Sequence, residues 1–161
     1  MDTNENSSEI SHKKFLPYIG GAAAIIVILV LFVAGNPTSP KDIAEKYAQI
    51  QVEALNNGTF SDNDLKWFND VFKYGVTASR EIGGLRQTAS TNKQLLALQG
   101  TTVKAKLKKI YVVEEYDANC VVSVTLEITA FHPTETLTED EQIIIYFVKD
   151  NDWKIERIEK R

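Results

Sequence analysis

The chain has 161 residues, 25% of them charged and 43% apolar, and its 22 acidic side chains outnumber 18 basic ones for a net charge of −4. That balance lacks the basic footprint a phosphate backbone selects for, so nucleic acid is excluded as a partner. A single cysteine, Cys120, excludes an internal disulfide, and two histidines, His12 and His132, leave little for imidazole or metal chemistry.

Residues 1–14 mix Asp2, Glu5, Glu9, Lys13 and Lys14 with Ser and Asn, a composition with no apolar core to order it, and are expected to form a disordered tail. Phe15 to Gly35 follows, 21 residues without one charge. As a helix it would span roughly 31 Å, the thickness of a bilayer's hydrocarbon core. Twelve of its side chains are Ile, Leu, Val or Phe, and residues 15–35 are therefore expected to cross the lipid bilayer. The alternative is a cleaved secretory signal with Val33-Ala34-Gly35 near the cut, although a signal's apolar stretch normally runs about 7 to 15 residues. His12-Lys13-Lys14 abut the start of the span and no basic residue follows it before Lys41. The rule that basic flanks stay cytoplasmic puts the tail inside and residues 36–161 outside, a single-pass protein of the cell membrane. Gly20 to Ala24 offers a small-residue face for another helix.

After a linker at residues 36–40, residues 41–161 have the length of one domain. Without the tail's five charges, the outer part holds 16 basic against 19 acidic residues. Lacking a disulfide, it must rest on its hydrophobic core, a habit of bacterial envelope proteins. Three helix starts are marked. Ser39-Pro40-Lys41-Asp42 supplies an N-cap, a proline at the first helical position and an acid after it. Ser61-Asp62-Asn63-Asp64 and Thr91-Asn92-Lys93-Gln94 read as capping boxes. The three helices are expected to end at Asn56-Asn57-Gly58, before Gly83-Gly84 and before Gly100. Ile43, Tyr47, Ile50 and Ala54 stripe the first, and Leu65, Phe68 and Phe72 the second, with Trp67, Val71 and Tyr74 beside them.

From Thr102 the period changes to two. Val103, Ala105 and Leu107 alternate with Lys104, Lys106 and Lys108, a half-buried strand. Lys108-Lys109 breaks the alternation, which predicts a bulge or strong bend before the apolar Ile110 to Val113. Cys120 to Phe131 is a second strand, Glu141 to Lys149 a third covered on both faces, and Trp153 to Ile158 a fourth after the turn Asp150-Asn151-Asp152. Trp153 and Ile155 are expected in the core. No strand-helix-strand alternation occurs, so the fold class is α+β, with about three helices on a curved, cone-like sheet of four antiparallel strands.

No catalytic, cofactor-binding or metal-binding residue is assigned. His132 sits alone in a loop, Cys120 reads as a small core residue, and Glu139-Asp140-Glu141 lacks the alternating ligands and glycine of a calcium loop. Lys104, Lys106, Lys108 and Lys109 read as a solubilising outer strand or as a docking face for an acidic partner. Enzymatic activity and cofactors are not expected.

The last hairpin, Tyr146-Phe147-Val148-Lys149-Asp150-Asn151-Asp152-Trp153-Lys154-Ile155, together with Asp42 to Tyr47 leading to Asn56-Asn57-Gly58, resembles the nuclear-transport-factor-like (cystatin-like cone) superfamily over residues 39 to 160. The layout of tail, span, helices and sheet is similar to the bitopic assembly-factor subunit of type IV secretion and conjugation machines. That resemblance implies an interaction module that self-associates or docks on another envelope protein. A cone holding a small apolar ligand is the alternative.

Overall fold

A computed structural model of the protein describes residues 39–59 and 61–161. The expected tail, membrane span and most of the linker lie outside these residues, as does the orientation drawn from their flanks. Among the described residues no helix is long and apolar enough to cross a membrane.

Among the described residues three helices, α1 (Pro40–Asn57), α2 (Asp62–Val71) and α3 (Gly75–Gln99), precede four strands, β1 (Thr102–Glu115), β2 (Asn119–His132), β3 (Glu135–Asp150) and β4 (Asp152–Lys160). The strands pair antiparallel in chain order, leaving β1 and β4 as the sheet's two edges. The fold is α+β, as expected.

Local chemistry accounts for the helix ends that were legible. The Ser39 hydroxyl accepts from the Asp42 N–H at 3.2 Å, and α1 ends on Gly58 at φ 63°, a left-handed position glycine takes without strain. Ser61 and Asp64 form the full capping box that starts α2. The next two expectations fail. α2 stops at Val71 instead of running to Gly83, and α3 passes straight through Gly83, Gly84 and Thr91 to Gln99. The break comes from β4: Phe72 bridges Ile155, and the Lys73 N–H donates to the Ile155 carbonyl at 2.9 Å, pulling three residues out of the helix. The glycine pair is merely carried, since a Cβ at either position would meet nothing within 4 Å. Ala78, Leu85 and Ala89 lie on one stripe and hold α3 down despite it. Asn92, read as part of a cap, instead donates from Nδ2 to the Leu55 carbonyl at 2.9 Å, satisfying the end of α1.

The inward face of the sheet carries Val122, Val124 and Leu126 of β2, Ile143, Ile145 and Phe147 of β3, and Ile155 of β4. Tyr47 of α1 and Phe68 of α2 pack on them. The bulge expected at Lys108-Lys109 is present: Leu107 faces Leu126, Lys109 faces Thr125, and Lys108 is the extra residue. A second bulge places Val113 as an extra residue between Val112 and Glu114. Together they keep Leu107, Ile110 and Val112 on the helix side although the sequence alternation is broken. β3 begins at Glu135, six residues before the expected start, so Glu139-Asp140-Glu141 is strand. Ile155 is fully buried, whereas Trp153, expected in the core, is only half-buried against it.

Candidate functional site

The free edge of β1 is treated differently along its length. At its N-terminal half, Asn56 of α1 clamps one residue of the edge. The Ala105 N–H donates to Asn56 Oδ1 at 2.6 Å, and Asn56 Nδ2 donates to the Ala105 carbonyl at 2.9 Å. The amide thereby stands where a neighbouring strand would otherwise pair. Among the described residues nothing comparable covers the C-terminal half, where Tyr111, Val112, Val113 and Tyr116 are 39%, 38%, 48% and 66% exposed. An edge with apolar side chains and open ladder groups is a template for another strand.

Because Ala105 turns both backbone groups toward Asn56, it belongs to a non-hydrogen-bonded pair with Ile128 of β2. Alternation carried through the two bulges then gives the open side the N–H and C=O groups of Leu107, Ile110, Val112 and Glu115. The Tyr116 N–H, which closes on the Asn119 carbonyl at 2.8 Å, fits this phase.

Charge is also divided along the strand. Lys104, Lys106, Lys108 and Lys109 occupy one end, Glu114 and Glu115 the other, with Asp117 just beyond. The lysines are not a uniform docking face. Lys106 pairs with Glu127 at 2.7 Å and Lys108 with Asp140 at 2.7 Å, and the Asp140 hydrogen bond pushes the Lys108 pKa up. Lys109 lies over the Tyr111 ring at 4.6 Å. Among the described residues, Lys104, Lys109, Glu114, Glu115 and Asp117 have no ion-pair partner.

A second polar feature lies between α1, α3 and β4, with Tyr47 and Gln51 buried and Lys160 exposed at its rim. The Tyr47 hydroxyl donates to Glu81 at 2.8 Å and accepts from Gln51 Nε2 at 2.9 Å. Lys160, inward-facing opposite Ile143, reaches Gln51 Oε1 at 3.5 Å and Glu81 at 3.9 Å. Burial, reinforced by the Glu81 charge, holds the Tyr47 hydroxyl well above its ordinary pKa. The network satisfies its own members and ties α1 to α3.

Sequence reasoning missed Asn56, Gln51, Glu81 and Lys160. Asn56 was absorbed into a helix-end motif, and the others are brought together only by tertiary packing. His132 ends β2, exposed, its Nδ1 2.8 Å from the Thr134 hydroxyl. Cys120 is buried at the start of β2, its thiol pushed up to about 11 by desolvation, with the Glu115 charge adding. Among the described residues no group of acids, histidines and cysteines could hold a metal ion.

No family model matches the chain, and no curated protein does. Among solved structures it is similar to the intermembrane space region of the chloroplast protein ARC6, 20% identical with a TM-score of 0.44, over 74% of this chain and 92% of that one. It is similar to a Nostoc punctiforme domain with a cystatin-like fold, 15% identical with a TM-score of 0.39, over 76% and 77%. CagV, a VirB8 homologue of the T4SS from Helicobacter pylori, is a further match, 12% identical with a TM-score of 0.41, over 73% of this chain and 95% of that one. These likenesses concern the fold and assign no activity.

Proposed function

We propose that the protein is a single-pass, membrane-anchored assembly module that holds its α+β domain outside the cytoplasm and works by contact, without turnover. The observation that carries this reading is the uncovered half of the β1 edge, where four large apolar side chains from Tyr111 to Tyr116 stand exposed beside open ladder groups. The 21 uncharged residues from Phe15 to Gly35 support the anchor. Tethering raises the local concentration of the domain for partners in the same membrane. The sequence resemblance supplies the class of machine, a secretion or conjugation assembly.

The test uses the full chain in its native membrane. A photo-crosslinking side chain at Val113 should form protein adducts, and the same group at Val76, exposed on α3, should not. Equal labelling at both positions, or none at Val113, refutes contact through the edge. The chain should also stay in the pellet after alkaline carbonate, and its release would refute the anchor. The competing reading, a small ligand held on the inner side of the sheet, is favoured by Gln51, Glu81 and Lys160 lying there. It wins if a small molecule copurifies and is lost on Gln51→Leu.

A further inference from the structure

The β1 edge is complementary to itself. We propose that its occupant is a second copy of this chain, pairing β1 antiparallel to β1 about a two-fold axis at Tyr111. The inference rests on the reading of the edge as a contact surface and adds the partner and the register. The basic stretch Lys104 to Lys109 precedes the apolar Ile110 to Val113, and acidic Glu114 and Glu115 follow. Laid antiparallel on itself, this strand sets lysines against glutamates and apolar centre on apolar centre. Laid parallel, it would stack lysine on lysine, and like charges directly opposite one another are destabilising.

The two bulges decide the register. With Tyr111 on the axis, Ile110 faces Val112 of the second copy, both on the helix side and both with open backbone groups. Moving outward, the extra residue Val113 in one strand shifts the pairing by one, and the extra residue Lys108 in the other restores it. Lys109 therefore meets Glu114 on the outer face, and Leu107 meets Glu115 on the helix side. The inside and outside faces of both sheets are preserved through both irregularities, and every hydrogen-bonded pair joins residues whose groups are open. Lys109 and Glu114, the pair this register creates, are among the charges with no ion pair within the described residues.

Asn56 fits the same geometry. It occupies the edge at Ala105, two residues beyond the last pair, where the partner's β1 has already ended at Glu115. The clamp closes the stretch of edge a second copy does not reach. The contact is isologous, so each residue pair occurs twice and the assembly closes at two chains.

Disulfide trapping tests the axis. Directly opposed residues of a non-hydrogen-bonded antiparallel pair lie about 4.5 Å apart at Cα, within disulfide reach. Full-length Tyr111→Cys, oxidised in its membrane, should give a covalent dimer, while Val76→Cys and the wild type, whose Cys120 is buried, should not. In the Tyr111→Cys background, Lys109→Glu or Glu114→Lys should each lower the dimer yield roughly tenfold, since each reverses two symmetric pairs, and the two together should restore it. The unsubstituted full chain in detergent should scatter light as a dimer. A monomer by scattering, no Tyr111→Cys dimer, or no rescue by the double reversal overturns the proposal. Adducts at Val113 with a different protein and no self-dimer would overturn self-pairing while leaving the contact function standing. No adduct of any kind would remove both.

Discussion

Asn56→Ala removes both hydrogen bonds that close the β1 edge at Ala105, 2.6 and 2.9 Å long. Each is worth about 1 kcal/mol net. Ala105 is itself buried, so its N–H and carbonyl would lose their partners without gaining full hydration, which raises the expected total to about 2–4 kcal/mol. For a domain of this size that lowers the melting temperature by about 5–15 °C. Two assays separate this mechanism from general damage to the end of α1. Chemical denaturation of the full chain in detergent measures the loss, with Asn57→Ala as a neighbour that should stay within about 0.5 kcal/mol. Native-state hydrogen exchange should show the Ala105 amide losing protection while the amides of β2 and β3 keep theirs. Equal costs for the two asparagines, or an unchanged Ala105 amide, would refute the clamp.

Ile155→Ala should cost about 2–5 kcal/mol by denaturant unfolding, more than Trp153→Ala, because Ile155 is fully buried and Trp153 is not; the reverse order would mean the β4 register is wrong. Gly83→Ala and Gly84→Ala should each stabilise the domain by about 0.5–1 kcal/mol, since both lie inside α3 and an added Cβ meets nothing; destabilisation in thermal melts would show a packing role for the pair. Above the ordinary phenol pKa of 10.0 the unfolded chain releases the Tyr47 proton while the folded one keeps it. That contribution to stability is therefore complete below pH 10 and lost above it, at up to about 1.4 kcal/mol per pH unit. Alkaline unfolding of Tyr47→Phe should be correspondingly shallower, and an identical pH slope would contradict the burial of this hydroxyl.

What was legible in the sequence was whatever is decided within a few residues. The caps at Ser39 and Ser61 need only the next turn, and the bulge at Lys108 is written as a break in a period of two. The bulge at Val113 is silent because apolar residues surround it and no alternation is left to break. The gap between α2 and α3 was misplaced for a different reason. Gly83-Gly84 is a strong local signal with no structural consequence, while the actual break is imposed by Ile155, more than eighty residues downstream. The edge site was half legible: its charges and apolar centre were visible, but which half α1 leaves open depends on Asn56, and a helix-end Asn-Asn-Gly gives no hint of a strand clamp.

The bridge from Phe72 and Lys73 to Ile155 also orders events in time. Chains are made from the N-terminus at roughly 5–20 residues per second and begin to fold as they emerge. Until residue 155 is available, the bridge that draws Phe72 and Lys73 out of the helix cannot form, and α2 can run on into α3. We expect the nascent domain to carry one long helical rod that folds back only when the final hairpin arrives. Arrest of synthesis before β4, followed by limited proteolysis around Tyr74, would reveal that rod as a protected segment that becomes cleavable once the sheet is complete.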